Sequence, residues 1–499
     1  MDKLSINLAD YGYASQGAEY GSANQESVDM LNKALSAGAI TGRDTADLQD
    51  ASGSPLKVES LEKTLKHLTF RENDIKLWKD VPKKAAYNTV EEYNQMVSYG
   101  QDRGGFNNEG ELPDEEDSTY VRRAQLVKYL GVTKSVTHQM TLVNTMIGSV
   151  MERTIKDGTL WILRKLNKSL YFGNEKIIPQ EFNGFLAQQM QSDAWANYGA
   201  YMNSENVIDL RGKALSEEAI ESGANSLVEN FGLATQLYGA PAVLSNFVKN
   251  FYGNKFIQPN TAALSNGIMG QKVQAFDSQF GQIGLNHDVF FKKLPARNVN
   301  SEANSTQAPG APVWDAGDAE AEPPVDSIAA VVETSIAGSK FATADAGAVY
   351  YAVSALNRKG ESALRILATA VTLVAACAID LKFTAGTGTA TGYRIYRTKV
   401  GGAATGDFYP LFDVSLDDLT RGYDGGAPGK IRDMNRFLPD CDQAMLLQFD
   451  NEVIEFAQLA PLMKMDLAIL SPAFRFMVML YGTPFLYAPK KMVRLINIK

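Results

Sequence analysis

Apolar residues recur at helical spacing along TLVNTMIGSVMERTIKDGTLWILRKLNKSLYFGN, where Val143, Ile147, Val150, Met151, Ile155, Ile162, Leu166 and Leu170 fall near one face. The pattern predicts a long helix over residues 142–172 with Gly173 as its stop. A shorter helix is expected at SPLKVESLEKTLKHL. There Ser54 serves as a cap and Pro55 takes the first position, Leu61, Leu65 and Leu68 share a face, and His67 is exposed between them. A third helix is expected from a Ser216 cap through Phe231, with Glu217 and Glu218 favourable at its N-terminus.

Other stretches read as extended. AAYNTVEEYNQMVSYG and YVRRAQLVKYLGVTKSV flank QDRGGFNNEGELPDEED, a loop longer than compact domains usually hold. A two-stranded ribbon of this length is unstable alone in water, so it must lie on something, and another subunit is one candidate. QLYGAPAVLS reads as a strand interrupted at Gly-Ala-Pro, followed by a short helix from Ser245, and ILATAVTLVAACAI reads as one buried strand. VYYAVSALNRKGES puts Val349, Tyr351, Val353 and Ala355 on one face before a turn, and TGYRIYRTKVGG repeats the pattern, which suits a β-sandwich. At the C-terminus, FRFMVML, a Gly482-Thr483-Pro484 turn and an alternating strand from Met492 to Ile498 bring apolar residues back after the sandwich. The sandwich therefore reads as an insertion into a discontinuous body.

Composition adds boundaries. Residues 1–53 are rich in Gly, Ala, Ser and Asn with little periodicity, an arm that could not fold alone. From Asn298 to Ser339 the chain has no Lys or Arg, and its Pro- and Ala-rich, acidic character marks a linker. The formal charge of −9 argues against nucleic-acid binding through a broad basic surface. Two cysteines, Cys377 and Cys441, are too few for a disulfide framework. No signal peptide opens the sequence and no apolar run is long enough for a membrane-spanning helix, so a soluble, intracellular protein is expected.

Chemistry is sparse. GTGTATGYRIYR has Thr391 where a dinucleotide fingerprint needs its third glycine, and a strand follows instead of a helix, so Gly386 and Gly388 read as a flexible turn. His287-Asp288 has no nucleophile marked out for it and reads as structural. Cys377 reads as inert core. Two acidic groups, Asp114, Glu115, Glu116 and Asp117, and Asp413 with Asp417, Asp418 and Asp424, lack the spacing of a calcium loop and read as solvated charge. The sharper reading of the first is an intersubunit ion pair at the loop tip, with Arg122 and Arg123 close behind as further candidate contacts. No catalytic, cofactor or metal residue is assigned.

Several stretches together resemble the major capsid proteins of tailed bacteriophages with the Hong Kong 97-like fold, especially those of herellevirus-type myophages. They are LYFGN with EFNGFLAQQ, ATQLYGAPAVLSNFVKNFYG, FDSQFGQIGLNHDVFF, and LAPLMKMDLA with MVMLYGTPFLYAPKKMVRLINI. The order of parts agrees as well. The resemblance implies an α+β fold with an N-terminal arm over 1–53 and a peripheral part over 54–205. That part would hold an extended loop at about 85–135 and a spine helix at about 142–172. An axial part over 206–297, a linker over 298–311, an inserted immunoglobulin- or fibronectin-type-III-like sandwich over 312–432, and a return over 433–499 would follow. The return would end in strands of the peripheral part near the spine helix. No motif links Lys83, Lys84 and Asn108 as a crosslink.

The resemblance further implies a protein that is not an enzyme and needs no cofactor. It would assemble with itself into hexamers and pentamers of an icosahedral head in the host cytoplasm and remain in the virion. Packaged double-stranded DNA would lie on the inner face without sequence-specific contact. Cement or decoration, portal and scaffolding proteins are further candidate partners, and no membrane is involved. Two other readings stay open from the residues alone: another phage structural protein such as a tail sheath, and an enzyme with an accessory sandwich, for which a pair of carboxylates would be needed.

Overall fold

The computed structural model describes residues 69–499 apart from 101–105, 107, 111, 113–114, 144–148, 191–205, 255–272, 293, 299–328, 359, 383–389 and 469–470. The expected arm, the helix after Ser54, His67, Asp114, the 299–311 part of the linker and the Gly386–Gly388 turn lie outside the described residues.

A four-stranded sheet takes the order Lys83–Ala85, Ile454–Asp466, Ala473–Leu486, Lys128–Thr137. The long helix Val150–Phe172 lies against it: Ile162 is buried with Phe476 and Val478, and Met151, Ile155 and Val132 complete the contact. At about 1.5 Å per residue the helix reaches roughly 35 Å. It begins eight residues later than the periodicity suggests. His138–Leu142 is a separate short helix, and Ser149, with extended backbone, accepts from the Glu152 amide and sets the N-cap. Gly158 lets the helix sit close, since a methyl group there would already be in contact with Val478.

Gly173 ends the helix for a steric reason. A Cβ at that position would stand 2.5 Å from the Phe182 carbonyl oxygen and 2.6 Å from that of Ser169, while the Gly173 carbonyl accepts from Gly184. Gly173→Ala is expected to cost about 3 kcal/mol, the upper part of the range for overpacking, read as a lower urea midpoint at unchanged slope.

A six-stranded sheet follows the order Val207–Asp209, Met492–Ile498, Asp442–Leu447, Gln236–Gly239, Gly281–His287, Ala275–Ser278. Because side chains alternate across a strand, its two faces build two cores. Ala444, Leu446, Val493 and Leu495 meet helices Glu217–Glu229 and Pro241–Asn254. Met445, Leu447 and Met492 meet Leu166, Leu170 and Tyr171 of the long helix. Ser216 caps the first of those two helices through the Ala219 amide. The second begins at Pro241, not Ser245: what reads as a break inside a strand is proline at a helix start, where its missing N–H costs nothing.

The strand Met492–Ile498 is not part of the four-stranded sheet. It lies inside the six-stranded sheet, parallel to Val207–Asp209 and antiparallel to Asp442–Leu447. Only its Met492 side reaches the long helix. The register shifts between Asp442 and Ala444, Asn497 takes a φ of 57°, and Ile498 thereby joins the face of Val493 and Leu495.

The inserted part is a β-sandwich with a main core between its sheets and a smaller apolar cluster, Ala352, Tyr396 and Phe408, on the other face of its five-stranded sheet. One sheet runs Arg365–Ile366, Tyr351–Leu356, Gly392–Arg397, Asp407–Ser415, Arg297–Asn298. The other runs Ala329–Glu333, Ala378–Lys382, Lys430–Asp433. Tyr351, Val353, Tyr393 and Ile395 pack on Ile379, Leu381 and Ile431 between them. The apolar run expected as one strand is divided into Arg365–Ile366, Val371–Leu373 and Ala378–Lys382, with Ala376 at a φ of 55°. Buried Glu361 accepts from Ser354 at 2.6 Å and pairs with Arg297 at 3.0 Å and Arg394 at 2.8 Å. Burial pushes its carboxyl up, but the two guanidinium groups outweigh burial and hold it below the usual range.

The edges of the sandwich lie beyond 312–432. Arg297–Asn298 forms an outer strand, and Phe437 belongs to the core. A fragment of residues 295–438 is therefore expected to fold alone, with a cooperative transition by circular dichroism. The 312–432 fragment, lacking Phe437, should be less stable by about 3 kcal/mol or more.

Candidate assembly surface

The ribbon pairs Val90–Ser98 with Thr119–Leu126, antiparallel, in a sheet of their own. The strict alternation of the sequence gives it two faces. Tyr93, Gln95, Arg123 and Gln125 are half-buried and face the body. Tyr93 stands edge-on to Phe485 and Tyr487, at 5.5 and 4.9 Å between ring centres. Gln95 donates to the Tyr487 carbonyl, and the Thr483 hydroxyl donates to Gln125 at 3.2 Å. Burial raises the pKa of Tyr93, against the opposing pull of Arg123, and burial together with the hydrogen bond to Glu455 raises that of Tyr487. These contacts fix the ribbon's direction.

The opposite face carries Val90 (41% exposed), Met96 (42%), Tyr120 (66%) and Leu126 (50%). The register makes two apolar cross-strand pairs of them, Val90 with Leu126 and Met96 with Tyr120. Between these pairs Arg122 bridges to Glu92 at 3.3 Å and donates to Asn94 at 3.4 Å. This ion pair is exposed at both ends and worth under about 1 kcal/mol. The face thus has an apolar pair near each end and an ion pair in the middle.

Arg122 and Arg123 are adjacent in sequence but do not form one patch. Neighbouring residues of a strand point to opposite faces, so Arg122 meets Glu92 outside while Arg123 turns inward to Gln95 at 3.3 Å. Of the acidic candidates, Glu115, Glu116 and Asp117 are exposed on the segment leading into Thr119. Glu116 lies back against Gly100, whose φ of 123° suits glycine.

Beneath the ribbon is a cleft of roughly 1160 Å³, lined among others by Tyr93, Arg123, Gln188, Gln189 and Asn206. Among the described residues, the buried side-chain oxygens Gln189 Oε1 and Asn206 Oδ1 have no donor.

Other residues singled out by sequence serve the fold. Asp288 is fully buried and accepts from Asn167 (2.9 Å), Tyr171 (3.0 Å) and the Phe290 amide (2.8 Å), while His287 contacts Lys76. Asp413 binds Arg394, Asp417 binds Arg421, Asp418 completes a capping box with Ser415, and Asp424 binds Arg436. Cys377 is buried and unpaired with any other cysteine.

No protein-family model matches the chain. Among solved structures, a chain of Mycobacterium phage Bobi is similar at a TM-score of 0.42 and 8% identity, with 91% of this chain and 99% of that one covered. The capsid of Myoviridae phage XM1 is similar at 0.39 and 8%, with 88% and 97% covered. The major capsid proteins of Staphylococcus phages S25-3 and K are each 23% identical over 463 residues, covering 91% of this chain and 92% of the relative. By that co-extensive match the chain is homologous to the major capsid proteins of staphylococcal phages.

Proposed function

We propose that the chain is the major structural subunit of an icosahedral phage head, assembling with itself into hexamers and pentamers around packaged DNA, and that it performs no catalysis. The observation that carries this reading is the ribbon's outer face. An anchored, two-stranded projection that holds apolar cross-strand pairs toward water has its natural partner in a neighbouring copy. The ribbon would be the extended loop, the Val150–Phe172 helix the spine, and the six-stranded sheet with its two helices the axial part. Residues 1–53 would form an arm reaching a neighbour.

In the assembled shell the outer ribbon face would cover apolar surface of an adjacent subunit. Glu92 and Arg122, with Glu115, Glu116 and Asp117 toward the tip, would set register more than affinity. The two unfilled acceptors in the cleft, Gln189 Oε1 and Asn206 Oδ1, would take N–H donors from a neighbouring copy. A shell that confines DNA without gripping it fits the formal charge of −9.

Electron microscopy of the purified chain tests the proposal. Closed shells or hexameric tiles are expected. Contractile tubes would place the chain among sheath proteins, and particles that never exceed a monomer under assembly conditions would remove the reading altogether.

A further inference from the structure

Five non-glycine residues with left-handed φ meet where the sandwich joins the six-stranded sheet: Arg211 (50°), Asp424 (53°), Asn435 (59°), Asp440 (60°) and Asn497 (57°). Side chains rarely hold this conformation unless their surroundings fix it. All five sit on or bond to the connector between Lys430–Asp433 of the sandwich and Asp442–Leu447 of the sheet, or pair with it across the joint.

Arg211 donates through Nη1 to the Asn435 carbonyl at 2.8 Å, and through Nη2 to the Lys340 carbonyl at 2.5 Å and to Asp345 at 3.2 Å. Asn435 donates to Asp345 at 3.0 Å and accepts from Arg397 at 2.6 Å. On the sheet side, Asn497 donates through Nδ2 to the Arg436 carbonyl at 2.8 Å and to Asp209 at 2.7 Å, and its Oδ1 accepts from the Leu438 amide at 2.8 Å. Arg436 in turn reaches into the sandwich and donates to Asp424 at 2.6 Å. Lys399 holds Asp440 at 2.6 Å, and the Arg494 guanidinium lies over the Phe437 ring at 5.6 Å.

We propose that this joint locks the inserted sandwich in one orientation on the body, and that Asn497 and Arg211 are the two side chains that close it. Each makes bonds to the connector and to a second segment: Arg211 to Lys340 and Asp345 of the sandwich, Asn497 to Asp209 of the body. A loosely tethered module would show a long, polar connector free of such bonds. Here Met434, Asn435, Arg436, Leu438 and Asp440 of the outgoing connector each carry a hydrogen bond to another segment. The sandwich is thus a rigid projection whose direction the Met492–Ile498 strand helps to fix, although that strand places no apolar side chain in the sandwich core.

Double electron–electron resonance on the full chain tests this, with nitroxides at Ser222→Cys on the body and Thr372→Cys on the sandwich, both exposed positions. Cys377 and Cys441 are buried and stay unlabelled. The parent chain is expected to give a single narrow distance. Arg211→Ala and Asn497→Gly, the latter chosen because glycine accepts the backbone angle, are expected to lose it in favour of a broad distribution. Slow hydrogen exchange at Tyr351–Leu356 should persist in both, showing an intact sandwich. A narrow distance retained in the two variants, or a broad one in the parent, overturns the proposal. If Asn497→Gly fails to fold, Arg211→Ala, altered at a partly exposed side chain, decides alone.

Discussion

A chain that stops at Pro489 does not fold. Removing residues 490–499 deletes Met492, Val493, Leu495, Ile496 and Ile498, each at most 1% exposed. At about 1.5–3 kcal/mol per buried side chain, their loss removes on the order of 7–15 kcal/mol, an upper estimate that matches the whole stability of a typical domain. The deletion also leaves Asp442–Leu447 and Val207–Asp209 without their shared neighbour, exposing two rows of backbone donors and acceptors inside the sheet. Both apolar layers open at once, because Met492 serves the long-helix side and Val493 and Leu495 the other. The expected result is insoluble product, or a soluble one without a cooperative thermal transition. A truncated chain that melts within a few degrees of the parent would show that the strand is dispensable.

Much of this arrangement is legible in sequence. The Ser216 cap, the apolar stripe of the long helix and the alternation in the ribbon all follow local rules that tertiary context leaves alone. Failures occur where one local signal has two meanings. Pro241 breaks a strand or begins a helix with equal plausibility until the buried face of Val243 and Phe247 is seen. The apolar run from Ile366 to Ile379 gives no sign of its turns, because the exposed residues at 368–370 and 374–376 are themselves small or apolar. The place of Met492–Ile498 is beyond local reading as well. A strand covered on both faces looks the same whichever sheet receives it.

The joint between sandwich and sheet left no trace in the pattern, for a different reason. Its groups come from five segments distant in sequence, around residues 209–211, 340–345, 397–399, 424–440 and 494–497. Asn497 and Arg494 hint at it, as polar residues inside the otherwise apolar VRLINI. Arg122 and Arg123 are adjacent candidates in the linear sequence, and the strand separates them onto opposite faces.

That separation sharpens what disrupting the ribbon will do. Met96→Ser with Tyr120→Ser removes the apolar cross-strand pair nearer the tip while keeping the ribbon's anchors, Tyr93, Gln95 and Gln125, intact. Met96 is 42% and Tyr120 66% exposed in the isolated subunit, so its stability should stay within the range of ordinary surface substitutions, about 0.5 kcal/mol. Assembly is another matter. Covering these side chains on a neighbour would contribute about 1–2 kcal/mol each, and every 1.4 kcal/mol is a factor of ten in association. A lattice repeats that loss at each subunit, so the protein concentration needed for shells should rise by at least tenfold, read by sedimentation and particle counts. Deleting residues 101–117 should act in the same direction. By contrast, Arg122→Ala should change the salt dependence of assembly and little else, because its pair with Glu92 is already solvated. Normal shells from the Met96→Ser/Tyr120→Ser chain at the parent's concentration would mean that the outer ribbon face is not a lattice contact.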